Sequence, residues 1–265
     1  TLLSLEEDTD VAIMEMGMEK FGDVSLLVKL ARPQIAAITN IGYSHLHIVK
    51  TRENVAKAKL EILEQMTTDD LFIYNYDDDI LRSEVAQLDM VPQVVTFGTN
   101  PEADHVLTLL TSNAGGTTFA MDGKEWTINL LGHFQMYNAA VAVLIGQKLG
   151  LSDEEIQRGL FVEDQTKMRA ELVHLAGFDI LNDAYKSNPQ ALEEALTTVG
   201  MLAGYKSKIA ILGDMLELGE DEAELHRESG RKINPNDIDY VLFFGDLSRY
   251  MMEGALENFP PSRLF

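Results

Sequence analysis

Three side chains near the start of the chain, Glu15, His45 and Lys59, have types suited to one metal site. Glu15 follows the apolar run 11–14, and His45 follows the apolar run 34–39 by a few residues. A helical pattern separates the two runs, which predicts a strand–helix–strand unit with parallel neighbouring strands. Since ligands of open α/β sheets bind outside the carboxyl ends of the strands, we expect the carboxylate and the imidazole to converge there.

Lys59 lies on a predicted helix at 52–66. The apolar residues that recur along this helix are Val55, Ile62, Leu63 and Met66. At roughly 100° per residue, Lys59 falls inside their stripe, whereas Lys57 points to the opposite side. A lysine on a buried face needs a charged partner, a snorkelling route to water or a chemical reason. Two interpretations stay open: a snorkelling lysine, or a lysine that CO₂ converts into a carbamate, an anionic oxygen ligand suited to Mg²⁺.

Length and composition describe a soluble protein of two domains. The chain has 265 residues, 46% of them hydrophobic, which is long for one domain and enough for ordinary cores. No run approaches the roughly 20 apolar residues of a membrane span, and no signal sequence opens the chain. Cysteine is absent, which excludes disulfides and thiol chemistry. We therefore expect a cytoplasmic location and no membrane partner.

The charge is strongly acidic, with 21 basic against 43 acidic residues and a formal net charge of −22. Such a field repels nucleic acid and anionic membranes, so neither is expected as a partner. A phosphate-bearing ligand would need local help from Mg²⁺, Lys, Arg or a helix N-terminus.

The first part of the chain alternates strands with amphipathic helices, the first of which is at 23–31. Strands are predicted at 11–14, 35–41, 71–74 and 93–97. The sequence pattern changes over 105–131 to short alternating runs separated by turn residues, and Asp122-Gly123 is a strong hairpin signal there. Helices are predicted at 135–149 and 153–161, the second opening with a capping box at Ser152. This pattern indicates an α/β domain with a mostly parallel central sheet and an antiparallel edge.

A second α/β unit follows, and we place the boundary between residues 1–164 and 165–265. A hairpin is predicted at 172–175 and 178–181, and a helix with proline in its first turn at 189–202. The elements after them are strands at 209–212 and 240–244 and helices at 221–232 and 248–256. The unit is Rossmann-like and ends early, which would leave an exposed edge.

Two familiar nucleotide motifs are missing from the sequence. It has no G-x-x-x-x-G-K-[ST] phosphate loop and no convincing G-x-G-x-x-G after a strand. The chain also starts at Thr1 without an initiator methionine, so we expect it to be a piece of a longer protein.

Several segments, in order along nearly the whole chain, resemble the central and C-terminal domains of the Mur ligases. They are 14–17 (MEMG), 38–46 (ITNIGYSHL), 53–62 (ENVAKAKLEI), 132–140 (GHFQMYNAA), 182–189 (NDAYKSNP) and 212–219 (LGDMLELG). Within the family, the resemblance is greatest to the ligase of peptidoglycan precursor synthesis that joins D-alanyl-D-alanine to UDP-N-acetylmuramoyl-tripeptide.

The resemblance implies an ATP-dependent reaction. ATP phosphorylates a carboxylate of the UDP-linked peptide, and the incoming amine attacks the acyl phosphate through a tetrahedral intermediate. Catalysis of this kind is largely positioning and stabilisation of charge. The family pattern makes Glu15 and His45 ligands of Mg²⁺ and Lys59 a carbamylated lysine at the same site. Asn40 either supports this loop or caps a turn through its side chain.

For the nucleotide, Asn138 matches the family asparagine that contacts adenine. The family pattern G-x-H-N-x-x-N is altered here, since Phe134 and Gln135 replace its histidine and first asparagine. His133 is displaced by one position and is given no role. The alternative interpretation of Asn138 is that it caps its helix.

The C-terminal unit supplies the remaining groups that the resemblance implies. Arg169 and Asp183 correspond to residues that hold the ribose and phosphate side of ATP, for which a guanidinium and a carboxylate are suited. Tyr185 and Asn188 belong to the same loop, just before a helix N-terminus that favours anions. Lys186 and His226 are assigned no role. Asp214 and Glu217 are candidates for the substrate side of the cleft.

The resemblance also implies what the chain lacks. The phosphate loop of the family lies upstream of Thr1, so we expect the 265 residues alone to be inactive. Two alternatives remain: another Mur ligase or a folylpolyglutamate synthase-like amide ligase, and a non-catalytic fragment that binds a metal or a partner. Because groups from both units must meet around one ATP, we expect a hinge at 162–167.

Overall fold

The computed structural model describes residues 3, 5–89, 92–161 and 166–265. Within these residues, strands β1 to β6 form one sheet in sequential order. Their bounds are β1 Ile35–Ile38, β2 Leu71–Asn75, β3 Gln93–Gly98, β4 His105–Asn113, β5 Gly116–Met121 and β6 Lys124–Ile128. Strands β1 to β4 pair in parallel, and β4, β5 and β6 pair antiparallel. The predicted parallel sheet with an antiparallel edge is confirmed.

Helices cover this sheet and position the candidate residues. They are α1 Asp23–Ala31, α2 Leu46–Val49, α3 Arg52–Leu60, α4 Asp79–Val85, α5 Gln135–Lys148 and α6 Asp153–Gly159. The capping box at Ser152 and the hairpin turn at Asp122-Gly123 are both present, the turn with positive φ at each residue. Helix α3 is shorter than predicted, because the chain tightens into a 3₁₀ turn over Glu61–Leu63.

The predicted strand at 11–14 is wrong. These residues, all in the described part of the chain, form no helix or strand, and Ile13 is 86% exposed. A strand of a parallel sheet is stable when its ladder is paired and its faces are covered. Strand β1 pairs with β2 along one edge, while the described residues place no strand along its other edge. Glu15 therefore follows an exposed segment rather than a strand.

The second unit contains two separate pairs of strands. The antiparallel pair is β7 Glu171–Leu175 and β8 Phe178–Asn182, and the parallel pair is β9 Ile209–Gly213 and β10 Tyr240–Phe244. Three helices accompany them: α7 Pro189–Met201, α8 Glu222–Arg231 and α9 Ser248–Ala255. One face of the parallel pair β9–β10 is open, since its side chains Ile211 and Phe244 are 73% and 79% exposed. The predicted domain boundary and most of the predicted hinge fall at 162–165, outside the described residues.

Helices α8 and α9 cross at a close distance that only glycine permits. A Cβ on Gly230 would lie 1.9 Å from the carbonyl oxygen of Met251, and one on Gly254 would lie 2.0 Å from that of Arg227. This crossing fixes α8 against the core of the second unit. As a separate observation, the described residues contain no helix that is both long and apolar enough to cross a membrane.

Candidate active site

His45 lies at the point where the two units touch. It precedes α2 and has a left-handed backbone, with φ of 60°. Its Nδ1 is 3.1 Å from Oε2 of Glu217, which belongs to the loop after β9. The same Oε2 accepts a hydrogen bond from Nζ of Lys186 at 2.8 Å. This bond holds the pKa of the Glu217 carboxyl below its usual range. The Glu217 carboxylate therefore contacts Lys186 of its own unit and the His45 imidazole of the first unit.

The backbone reinforces the contact between His45 and Glu217. The amide of His47 donates to the carbonyl oxygen of Glu217 at 3.3 Å. Glu217 itself has φ of 66°, an uncommon conformation for a residue with a side chain. Two residues later, Gly219 lies against the backbone of Leu46. Both the side chain and the main chain of Glu217 are thus fixed against the loop that carries His45.

A buried histidine holds the loop that carries Glu217. His226 of α8 is 0% exposed, and its Nε2 accepts a hydrogen bond from the amide of Met215 at 3.0 Å. Its Nδ1 lies 2.6 Å from the carbonyl oxygen of Glu222. A ring nitrogen that faces a carbonyl must carry the proton, and one that faces an N–H must be bare. His226 is therefore a neutral imidazole with its proton on Nδ1, and it anchors the turn two residues before Glu217.

Lys59 points toward the segment that precedes His45. It is half-buried, and its Nζ donates to the carbonyl oxygen of Asn40 at 2.8 Å. Burial lowers the pKa of this amine, and the Asp78 carboxylate partly offsets the shift. Lys57, by contrast, is exposed and lies 3.8 Å from Glu84. The predicted faces of the two lysines are confirmed, while carbamylation of Lys59 stays a prediction.

Asp78 connects the Asn40 segment to the start of α4. One oxygen of this carboxylate accepts from the amide of Ile41 at 2.6 Å, and the other caps α4 by accepting from Leu81 at 2.9 Å. The carbonyl that receives Lys59 therefore belongs to a segment pinned by a long-range hydrogen bond. It is the backbone of Asn40, rather than its amide group, that contacts Lys59.

Glu15 is exposed, yet its neighbours in sequence lie beside His45. Gly17, Met18 and Asp23 line a cavity of about 470 Å³ together with His45. No group of three or more histidine, aspartate, glutamate or cysteine side chains among the described residues is arranged to hold a metal ion alone. One carboxylate and one imidazole suit a cation that keeps several waters and is also held by substrate phosphates, as Mg²⁺ usually is.

Asn138 is the fourth residue of α5, at the end of its first turn, and the helix begins after Phe134 without a side-chain cap, so the predicted alternative role of Asn138 as a helix cap is wrong. The side chain of Asn138 is exposed and donates to Oε1 of Gln135 at 3.1 Å. The preceding residue, Tyr137, donates to the Asp77 carboxylate at 2.8 Å. Burial raises the pKa of Tyr137 to about 12, so it stays a donor and fixes this turn of the helix.

Arg169, Asp183 and Tyr185 are brought together in the second unit. The Arg169 guanidinium lies over the Tyr185 ring, 4.5 Å from its centroid. Asp183 accepts from the amide of Ala170 at 2.9 Å. Burial raises the pKa of the Asp183 carboxyl, while the Ala170 hydrogen bond and the Arg169 charge act in the opposite direction. The three predicted residues thus form one cluster with an exposed guanidinium.

Two other candidates have structural roles. Asn188 caps α7, since its Oδ1 accepts from the amides of Gln190 and Ala191 at 3.1 and 3.0 Å. The carboxylate of Asp214 accepts from three backbone amides at the start of α9. These donors, at 2.7 to 3.1 Å, are Asp246, Leu247 and Ser248. Asn188 positions the 182–189 loop, and Asp214 connects β9 to the last helix.

Two comparisons with family models match this architecture. The Mur ligase middle domain matches residues 1–146, and the Mur ligase, glutamate ligase domain matches residues 168–258. The chain belongs to the Mur ligase family.

Individual relatives agree with this assignment. A Mur ligase of Bacillus subtilis, UDP-N-acetylmuramoyl-tripeptide–D-alanyl-D-alanine ligase, is 38% identical over 267 residues, which cover 100% of this chain and 57% of the relative. A crystal structure of MurF from Acinetobacter baumannii matches with a TM-score of 0.87 at 24% identity, covering 100% of this chain and 57% of that one. MurF from Thermotoga maritima in complex with ADP matches with a TM-score of 0.76 at 26% identity, covering 89% and 55%. This Mur ligase chain therefore spans little more than half the length of these relatives.

Sequence reasoning missed several contacts of this Mur ligase chain. Lys186 and His226 were assigned no role, yet the first binds Glu217 and the second holds its loop. His133 pairs across the units with Glu194 of α7, with Nε2 and Oε2 3.1 Å apart. Burial raises the pKa of Glu194, and the His133 charge partly offsets this. Each contact joins residues that are distant in sequence, so no local pattern predicts it. The only signal in the sequence was the presence of an ionisable residue within a helix or a loop.

Proposed function

We propose that this chain forms the nucleotide-binding and amine-binding part of an ATP-dependent ligase that joins D-alanyl-D-alanine to UDP-N-acetylmuramoyl-tripeptide. The observation that carries the proposal is the 38% identity to the Bacillus subtilis ligase of that name along the whole of this chain. Support comes from the cluster of Arg169, Asp183 and Tyr185, and from the hydrogen bond that joins Lys59 of α3 to the Asn40 segment ahead of His45.

Nucleotide binding is assigned to residues of both units. Asn138 is exposed in the first turn of α5 and has an amide that suits adenine. Arg169 offers a guanidinium for phosphate oxygens, and Asp183 a carboxylate for the ribose hydroxyls. Tyr185 holds the guanidinium by stacking, and Asn188 fixes the loop by capping α7. The two units would close on one ATP, with 1–164 and 165–265 as the moving bodies.

The cation is assigned to Glu15 and His45, with Lys59 as a carbamate beside them. Bound there, Mg²⁺ would offset the negative charge that develops on phosphate oxygens during acyl phosphate formation. The residues of this chain provide orientation: His45 is held by Glu217, and Lys59 by the Asn40 carbonyl. The lowered pKa of Lys59 favours the neutral amine that reacts with CO₂.

Ligation by the full-length protein that contains this chain tests the proposal. With ATP, Mg²⁺ and UDP-N-acetylmuramoyl-tripeptide, we expect product with D-alanyl-D-alanine and little with glutamate or a diamino acid. Lys59→Ala should abolish most of the activity, while Lys57→Ala, on the opposite face of α3, should retain it. Preference for glutamate or a diamino acid would assign a different amide ligase of the same architecture. Absence of product with all three acceptors would leave a binding role only.

Domain closure has its own test. Small-angle scattering of the full-length protein should show compaction when ATP and the peptide substrate are added together. An unchanged radius of gyration would contradict a hinge near 162–167.

A further inference from the structure

We propose that Tyr137 is a positioning residue for the nucleotide base. Its hydrogen bond to Asp77 fixes the first turn of α5, the turn that carries Asn138. This inference rests on the proposed function, because it concerns the contact between Asn138 and adenine that is assigned there. It adds a residue that does not touch the nucleotide but determines how well the base is recognised.

The start of α5 lacks the side-chain cap that fixes many helix ends. Phe134 occupies the N-cap position and accepts no hydrogen bond through its side chain. The buried face of the helix, which includes Met136 and Ala140, packs on the sheet through apolar contacts. Such contacts are non-directional, whereas a hydrogen bond weakens steeply when its atoms leave alignment. The rotation of the first turn about the helix axis therefore depends on a directional contact with the rest of the unit.

Tyr137 provides this directional contact. Its hydroxyl donates to Oδ2 of Asp77 at 2.8 Å. Burial raises the pKa of Tyr137 to about 12, so the hydroxyl keeps its proton at neutral pH. The ring lies beside that of Phe97, with the two centroids 6.5 Å apart. The hydroxyl and the ring together hold one side chain of the first turn in a single position.

Asp77 is a fixed acceptor just after β2. Its Oδ2 also accepts from the amide and the hydroxyl of Thr99 at 2.7 and 2.8 Å, and its Oδ1 accepts from the amide of Asn100 at 2.8 Å. Burial alone would raise the pKa of this carboxyl, but the hydrogen bonds that it accepts hold the pKa below its usual range. Gly98 makes room for the carboxylate, since a Cβ there would lie 2.5 Å from Oδ1. Tyr137 is therefore bound by an ionised group that is itself held from several sides.

Asn138 follows Tyr137 directly and is exposed. Its Nδ2 donates to Oε1 of Gln135 at 3.1 Å, which leaves its Oδ1 and a second N–H hydrogen for a ligand. An asparagine amide that offers both groups can accept from the N6 amine of adenine and donate to N7. Because two hydrogen bonds must be aligned at once, a small rotation of the first turn of α5 would weaken this contact.

The carboxylate next to Asp77 connects the other half of the site to the same loop. Asp78 accepts from the amide of Ile41 at 2.6 Å. The preceding carbonyl, that of Asn40, receives Nζ of Lys59. The loop after β2 lies at a strand end, where open α/β sheets bind ligands. Two consecutive carboxylates of this loop therefore keep the base-binding turn and the Asn40 segment in a fixed relation.

A hydrogen bond that stabilises the fold without affecting recognition is the competing interpretation. The two interpretations differ in what the loss of the Tyr137 hydroxyl changes. Loss of stability alone would leave the affinity for nucleotides unchanged, or would lower it equally for all of them. Loss of a positioning contact would lower the affinity only for nucleotides whose base makes the aligned hydrogen bonds.

The test compares two nucleotides on the full-length protein that contains this chain, by isothermal titration calorimetry with Mg²⁺. ATP carries the N6 amine, and purine riboside triphosphate lacks it. Tyr137→Phe removes only the hydroxyl. It should weaken ATP binding about 10-fold, within the range of one bidentate base contact, and change the affinity for purine riboside triphosphate less than about 2-fold. In ligation assays the KM for ATP should rise by the same factor, with kcat retained.

Tyr76→Phe is the matched control. It removes a phenolic hydroxyl from the same loop, one that donates to the exposed Glu102 carboxylate at 3.3 Å. The affinities of this variant for both nucleotides should equal those of the wild type. An unchanged ATP affinity in Tyr137→Phe, or equal weakening of both nucleotides by it, would overturn the proposal.

Asn138→Ala separates this inference from the proposed function. If Asn138→Ala abolishes the preference for ATP over purine riboside triphosphate and Tyr137→Phe does not reduce it, the positioning role alone is wrong. If Asn138→Ala keeps the full preference, or if the wild type shows none, Asn138 does not contact the amine. The base contact of the proposed function is then wrong along with the role of Tyr137.

Discussion

The two sides of the proposed cation site differ in how they are held. On one side, His45 contacts Glu217 at 3.1 Å, and the amide of His47 donates to the carbonyl of the same residue. On the other side, Glu15 follows an exposed segment that belongs to no helix or strand of the described chain, with Ile13 86% exposed. The His45 imidazole is therefore positioned by tertiary contacts between the two units, whereas the position of the Glu15 carboxylate depends on the conformation of its own exposed segment.

The largest effect is expected at the buried anchor of the ordered side. His226→Asn removes the acceptor for the Met215 amide, and leaving a buried N–H unpaired costs about 1–3 kcal/mol of the free energy of unfolding. His226→Gln, whose side-chain oxygen reaches the position of Nε2, should cost less than half as much. Denaturant unfolding measures both variants. Equal losses would mean that the hydrogen bond to Met215 contributes nothing beyond packing.

A smaller effect is expected where the Asn40 segment is pinned. Asp78→Ala removes both the cap of α4 and the acceptor for the Ile41 amide, and the loss of a cap costs about 1 kcal/mol. Asp78→Asn keeps one acceptor oxygen and should lose roughly half of that. Thermal unfolding of the two variants checks this order. A more stable Asp78→Ala protein would show that the ordered side does not rely on this carboxylate.

The pH dependence of stability reports on Lys59. Burial lowers the pKa of its amine in the folded chain below the ordinary lysine value of 10.5. Between the pKa of the folded chain and that of the unfolded chain, the unfolded chain binds more protons. The free energy of unfolding therefore rises with pH through this window, and the contribution of Lys59 reaches its full size above the pKa of the unfolded chain. The free energy of unfolding of the wild type, less that of Lys59→Met, should therefore increase as the pH rises toward 10.5. A difference that falls with pH would contradict the burial of this amine.

The same amine should react with CO₂. In ¹³C-bicarbonate at mildly alkaline pH, NMR should show a carbamate signal that Lys59→Met removes and Lys57→Met retains. The matched variants share a helix and differ in the face that they occupy. A signal lost only in Lys57→Met would place the reactive amine on the wrong side of α3.

The smallest effect is expected on the exposed side. Glu15→Gln should change the free energy of unfolding by less than about 0.5 kcal/mol, since exposed substitutions away from special features rarely do more. Denaturant unfolding again measures it. A loss as large as that of Asp78→Ala would show that the Glu15 segment is held by contacts after all.

Local signals in the sequence predicted most of the fold. The capping box at Ser152, the hairpin at Asp122-Gly123 and the faces of Lys57 and Lys59 are each determined within one turn or one helix. The prediction of a strand at 11–14 was wrong, because an apolar pattern alone does not make a strand. The segment must also pair with a neighbouring strand, and among the described residues it does not pair along the free edge of β1.

The candidate site was predictable to a lesser extent. The resemblance identified Arg169, Asp183 and Tyr185, and the structure groups them. The contacts of Glu217 with His45 and Lys186 remained hidden, because each joins two separate loops, in the case of His45 loops of different units, and such contacts have no periodicity. Asn188 was placed correctly before a helix, but its side chain is used for capping. Pairs of this kind follow from the tertiary structure alone.

Amide hydrogen exchange of the 265-residue chain tests most directly whether the two sides of the site differ. The amides of Ile41, His47 and Met215 donate to Asp78, Glu217 and His226, so they should be protected. The amides of residues 12–17 should exchange close to the rate of an unfolded chain. Equal protection of the two sets would contradict the view that His45 is preordered and Glu15 is not.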